Sequence, residues 1–217
     1  MKEKKKRKKN SKSAAFRFFY ALVGWFVKIL FGIRTLNPEK EPEEGGYLIC
    51  CNHIAASDAV VLAYSFKKNQ ALLMAKKELF KIPVVAQLIK LLGAFPVDRG
   101  GADVGALRKS VSMIKEGKCV ALFPQGHRYP GVDPRTTPIK NGAGLIVSRA
   151  ECDVVPVYVL RKNNKSKLFR KSYLVIGDKI PFEELKAEGD NAAITKKIFD
   201  AVCTLGEEAA KDPRVKF

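Results

Sequence analysis

The stretch "YLICCNHIAASDAVVL", residues 47–62, decides the fold. It opens with a short apolar run that does not alternate, the pattern of a strand covered on both faces. The run stops at Asn52-His53, and from near Ala55 the spacing predicts a helix to about Phe66. A buried strand that feeds directly into a helix is the first half of a βαβ unit. The same rhythm continues on the C-terminal side. "ALLMA" (71–75), "AFPVD" (94–98), "KCVALFP" (118–124), "VVPVYVL" (154–160) and "YLVIGD" (173–178) read as strands. Between them, "KELFKIPVVAQLIKLLG" (77–93) reads as short helical segments broken at Pro83. A helix capped by Asp103 runs to about Lys115, "AGLIVSRA" (143–150) is another, and Asp190 or Asn191 starts the last. Strands alternating with helices predict an α/β fold: one domain, residues 37–217, with a largely parallel central sheet flanked by helices. In such sheets ligands gather at the carboxyl ends of strands.

On the N-terminal side the composition changes. Residues 1–12, "MKEKKKRKKNSK", carry eight Lys or Arg against one Glu, part of a net charge of +18 over 217 residues. Residues 14–33, "AAFRFFYALVGWFVKILFGI", are apolar and aromatic and hold the chain's one Trp. A spanning helix needs roughly 20 mostly apolar residues, and Arg17 and Lys28 interrupt this run. A signal peptide fits the basic start, but no small-x-small cleavage site precedes the polar linker "NPEKEPEEGG" (37–46). The pattern fits both a span and an interfacial helix whose cations snorkel to headgroups. A core helix behind a solvated tail is the plainer alternative. Residues 1–36 are therefore read as a membrane-associating helical arm, with an anionic membrane surface as partner. The apolar fraction of 47% excludes a disordered chain. The charge also suits a nucleic-acid-binding protein, but no stretch interleaves cations with aromatics in the way that function needs, so nucleic acid is not expected as a partner. The five cysteines show no C-x-x-C spacing and only two histidines accompany them, so no metal site is indicated. An odd count without a framework points to reduced core thiols in a cytosolic compartment.

His53 and Asp58 lie five residues apart. Inside one helix they would face about 140° away from each other. They meet only if His53 sits in the turn before the helix and Asp58 in its first turn, where Asp58 can accept from Nδ1–H and leave Nε2 to take a proton. That arrangement is a general base with an orienter. The alternative is an Asp placed by the helix dipole and a histidine bonded to backbone. Three other strand ends bring cations to the same edge: Lys76 and Lys77, Arg99, and Arg128. Together they indicate a phosphate site. The loop at 125–142 is long enough to be functional.

With these residues in place, "NHIAASD", "GAFPVDRG", "LFPQGHR" and "VVPVYV" resemble, in order and interval, the four motif blocks of the glycerophospholipid acyltransferases. The branch most similar is the bacterial 1-acyl-glycerol-3-phosphate acyltransferases, and the resemblance spans about residues 47–180. It implies His53 and Asp58 as the catalytic pair, and substrate binding by Lys76, Arg99, Gln125, Gly126 and Arg128. It implies acyl transfer from acyl-CoA or acyl carrier protein to the 2-hydroxyl of a lysophosphatidate, with phosphatidate as product at the cytoplasmic face of the cell membrane. No cofactor or metal is implied beyond the thioester co-substrate. Backbone N–H groups near the helix start are expected to stabilise the oxyanion. The third block usually reads F-P-E-G-T-R; Gln125 and His127 depart from it. The departures leave open a different lysolipid acceptor, or a membrane-bound scaffold with a decayed site.

Overall fold

A computed structural model of the protein describes residues 24–91, 93–97 and 104–217. The described chain opens in a helix, α1 (24–30), and continues through β1 (Ile33–Leu36), β2 (Leu48–Cys51), α2 (Asp58–Ser65), β3 (Ala71–Lys76), α3 (Pro83–Leu91) and β4 (Phe95–Val97). Then follow α4 (Val104–Lys115), β5 (Cys119–Leu122), α5 (Gly142–Ala150), β6 (Val154–Leu160), β7 (Ser172–Ile176), α6 (Phe182–Lys186) and α7 (Asn191–Ala210). Among the described residues, seven strands form one sheet in the order β1-β7-β6-β2-β5-β3-β4. β2 to β6 run in one direction. β7 opposes β6, and β1 follows β7. The amino ends of β1 and β7 therefore lie at the carboxyl edge of the other five strands.

Alternation along the strands divides the core. Leu48 and Cys50 point into a cluster with Ile146, Val147, Ile198 and Val202 of α5 and α7. Ile49 and Cys51 point the other way, onto Val61, Leu62 and Phe66 around α2. Every residue of β2 and β6 is buried, which is why these strands read as unbroken apolar runs. All five cysteines are buried core residues, and among the described residues no disulfide joins them.

Three local expectations change: the start of α2, the last residues of the arm and the segment read as a linker. α2 starts at Asp58 rather than near Ala55, because residues 52–57 form a turn around the Asp58 carboxylate. The helical segments read over 77–93 are divided at Pro83 as expected: a short helical turn covers Lys77–Lys81, and Pro83 opens α3, where its missing N–H is no loss. Asp103 lies outside the described residues, as do residues 1–23 of the arm. Ile33–Leu36, at the end of the segment read as arm, is the edge strand of the sheet, paired in parallel with β7. Among the described residues no helix is long and apolar enough to cross a membrane.

The polar segment at 37–46 is also more than a linker. Glu41 is buried, and its carboxylate accepts the backbone N–H groups of Lys67 (2.7 Å), Lys68 (2.8 Å) and Asn69 (2.8 Å). It thereby fixes the turn between α2 and β3. Glu41→Ala strands these donors, and is expected to lower the unfolding free energy by about 1–3 kcal/mol. A urea titration showing no change in midpoint contradicts that role.

Candidate active site

The site is built where β2 ends. Asn52 keeps the sheet closed after the strand stops: its side-chain amide donates to the Val159 carbonyl (3.1 Å) and accepts from the Val159 N–H (2.7 Å). A side chain thus replaces one backbone rung to β6, and the main chain is released to turn upward at His53. That residue is gripped from three sides by the loop after β5. Its N–H donates to Gln125 Oε1 (2.6 Å), its carbonyl accepts from the Tyr129 N–H (3.0 Å), and its ring stacks on Phe123 with centroids 4.0 Å apart and 12° between planes.

His53 Nδ1 lies 2.9 Å from Asp58 Oδ2. The same oxygen accepts the N–H groups of Ile54 (2.6 Å) and Ala55 (2.8 Å). The other carboxylate oxygen, Oδ1, accepts from Arg161 Nη1. Arg161 is itself buried, held by Nε to Ser172 Oγ (2.9 Å) and by Nη2 to Ser57 Oγ (3.2 Å). Asp58 has no exposure to water. Burial alone raises its pKa, but the hydrogen bond from His53, the Arg161 charge and the Ala55 N–H outweigh it and hold the carboxyl below its ordinary value. An ionised Asp58 can only accept, so the shared proton sits on Nδ1 and the lone pair is left on Nε2. Among the described residues no group bonds Nε2. The arrangement can accept a proton at that atom, and it resists rotation of the ring.

The residues singled out from the sequence are distributed as follows. His53 and Asp58 meet as the spacing requires. Gln125 touches His53: it is buried, with its oxygen on the His53 N–H and its amide on Thr137 Oγ1 (2.7 Å). It positions His53. Gly126 takes φ +68° in the same loop, and a Cβ there would come 2.9 Å from Lys140 Cδ, so its requirement is conformational. Arg128 is exposed on the rim of this loop. Lys76 ends β3 on the same edge, two strands from β2, with Glu78 at 3.8 Å. Arg99 lies outside the described residues. Of the amides near the helix start, those of Ile54 and Ala55 are committed to Asp58, that of His53 to Gln125, and that of Asp58 to the Ala55 carbonyl, so these four do not serve an oxyanion. Arg161 went unread in the sequence. Its one signal is its position directly after β6, at the same edge as His53.

The constellation now has a context among known proteins. A family model described as Acyltransferase matches residues 32–160, more than half of the chain. The chain belongs to the acyltransferase family. Over 172 residues it is 30% identical to the 1-acyl-sn-glycerol-3-phosphate acyltransferase of Bacillus subtilis (strain 168), covering 77% of this chain and 84% of that one. The protein of the same name from Streptococcus pneumoniae (strain ATCC BAA-255 / R6) is 31% identical over 148 residues, 65% of this chain and 54% of the other. The crystal structure of the 1-acyl-sn-glycerophosphate acyltransferase from Thermotoga maritima superposes with a TM-score of 0.67 at 21% identity, over 91% of this chain and 94% of that one. That likeness extends the α/β fold to nearly the whole acyltransferase. The family match stops one residue before Arg161, so the partner that anchors Asp58 lies just beyond it.

Asp58 also sets a pH dependence. A carboxyl whose folded pKa is lowered contributes stability that is full above its unfolded value of about 3.9 and is lost as pH falls through the folded value. Asp58→Asn leaves Arg161 buried without a counter-charge, a loss of about 3–5 kcal/mol near neutral pH. The stability gap between wild type and Asp58→Asn is expected to shrink below about pH 4. Unfolding free energies measured across that range test it; a gap that stays constant in acid contradicts it.

Proposed function

We propose that this acyltransferase moves a fatty acyl group from a thioester, acyl-CoA or acyl carrier protein, to the 2-hydroxyl of a 1-acyl-glycerol-3-phosphate. The observation that carries the reading is the buried Arg161–Asp58–His53 chain in a member of this family, with Nε2 left for a proton. The names of the bacterial relatives supply the acceptor. Nε2 of His53 takes the hydroxyl proton as the new C–O bond forms at the thioester carbonyl. The C–S bond then breaks, and the proton passes to the departing thiolate. Asp58 stabilises the imidazolium that forms meanwhile, and Arg161 keeps Asp58 in register. General base catalysis of this kind contributes about 10²–10⁴-fold. Lys76, Arg99 and Arg128 are the cations assigned to the acceptor phosphate. Gln125, turned inward onto His53, bears on the base more than on acceptor choice, which favours lysophosphatidate over another lysolipid. The arm is assigned to the cytoplasmic face of the membrane, where acceptor and product reside.

His53→Ala keeps the bonds that Ile54, Ala55 and Arg161 make to Asp58, so the fold is expected to persist while turnover falls by about 10²–10⁴-fold. Phosphatidate production by purified enzyme, crossed over several lysolipids and both donor types, measures this. Full activity in a folded His53→Ala protein refutes the mechanism. Removing residues 1–31 spares β1 and is expected to lower the share of the protein in the membrane fraction. An unchanged membrane fraction refutes the anchor.

A further inference from the structure

The segment between β6 and β7, "RKNNKSKLFRK" (161–171), holds six cations and no acid. Arg161 is turned inward to Asp58. Lys162, Lys165, Lys167 and Arg170 are exposed, and among the described residues none of these four pairs with a carboxylate. At the tip, Leu168 is 58% and Phe169 70% exposed. Two large apolar side chains held in water between cations cost free energy unless something covers them.

The segment is firmly seated. Asn164 accepts from the Gly131 N–H (2.7 Å) and donates through its side chain to the Val132 carbonyl (3.1 Å). Ser166 Oγ lies 3.0 Å from Ser57 Oγ, beside the start of α2. The Phe169 N–H donates to the Leu30 carbonyl (2.8 Å) and the Ser172 N–H to the Gly32 carbonyl (3.0 Å). Gly32 admits this contact, because a Cβ there would sit 2.3 Å from the Arg170 carbonyl oxygen. Phe169 itself takes φ +58°, a strained conformation for a bulky residue that the surrounding bonds impose. The segment is thus locked to the end of α1, whose Trp25 (73%), Phe26 (55%) and Ile29 (46%) are also exposed. A cavity of about 320 Å³ opens among Lys162, Lys165, Lys167, Arg170 and Lys171.

We propose that residues 162–171 form a second membrane-docking element, in which Leu168 and Phe169 enter the interface of an anionic bilayer beside α1 and the surrounding cations bind its headgroup phosphates. Apolar tips flanked by Lys and Arg are the chemistry of an interfacial contact, and a cavity lined mostly by cations and by no acid fits an anionic headgroup. An acidic protein would be served by the cations but would leave Leu168 and Phe169 unexplained. Because the segment begins at Arg161 and is bonded to Ser57, docking there turns the edge that carries His53 toward the bilayer. The proposal adds to the arm a contact that does not depend on turnover, so its failure leaves the acyl-transfer reading untouched.

The test places a single reporter on the tip. Trp25 is the chain's one tryptophan, so Trp25→Phe combined with Phe169→Trp, in the full-length protein, reads position 169 alone. With vesicles of phosphatidylcholine mixed with phosphatidylglycerol, the emission is expected to shift to the blue and to be quenched by brominated acyl chains. Vesicles of phosphatidylcholine alone are expected to give a weaker response. Lys165→Ala with Lys167→Ala is expected to weaken binding to the mixed vesicles by roughly 30-fold, given the effect of each cation near an anionic surface. Emission already blue-shifted before vesicles are added would mean that the chain itself covers the tip, and overturns the proposal. So does emission that stays water-like while Trp25 of the wild-type chain responds, since the arm then docks alone.

Discussion

A carboxylate sealed from water must have its charge and all of its lone pairs matched, or the fold loses several kcal/mol. Asp58 is that carboxylate here, and much of the site follows from satisfying it. Its Oδ2 draws in the N–H groups of Ile54 and Ala55, which shapes the turn after β2 and delays the start of α2. The same oxygen orients the His53 ring. Its Oδ1 takes Arg161 from the end of β6, so the relative heights of β2, α2 and β6 are set by one side chain. Local shape, helix start and the orientation of the His53 ring are therefore consequences of a single electrostatic requirement.

His53 has a second support that is not electrostatic. The loop after β5 holds the main chain of His53 by its N–H and its carbonyl, and covers one face of the ring with Phe123. Gln125 serves this support by accepting at one end and donating at the other, the second bond going to a Thr137 hydroxyl that itself donates to the Pro134 carbonyl. An amide suits that chain of bonds. A carboxylate at 125 would keep the bond to His53 but would have no proton to offer Thr137. The departure from the usual Glu is thus accommodated by the packing around His53.

Strand direction decides what surrounds the chemistry. Because β1 and β7 run against the other five strands, α1 and the segment at 161–171 emerge at the same edge as His53. Five parallel strands alone would bring only their own carboxyl-end loops there. The reversal gathers exposed Trp25, Phe26, Leu168 and Phe169, with their neighbouring cations, beside a site whose proposed acceptor lives in a bilayer.

The sequence by itself determined the alternation of strands and helices, the α/β class, and the meeting of His53 with Asp58. Each depends on residues close in the chain, where the period of apolar residues and the geometry of one turn carry the information. "VVPVYVL" is β6 from end to end for that reason. The short β1 escaped notice because four residues with one polar and one charged member carry too little pattern, and their pairing with β7 spans most of the chain. Glu41 and Arg161 escaped notice, and the contact of Gln125 with His53 went unread, for a related reason: a single polar residue looks the same whether it faces water or a partner. Gln125 meets His53 from 72 residues away, and Arg161 meets Asp58 from 103. Only the folded sheet brings those groups together and removes the water that would otherwise satisfy them, and so only the tertiary structure decided what holds His53 in place.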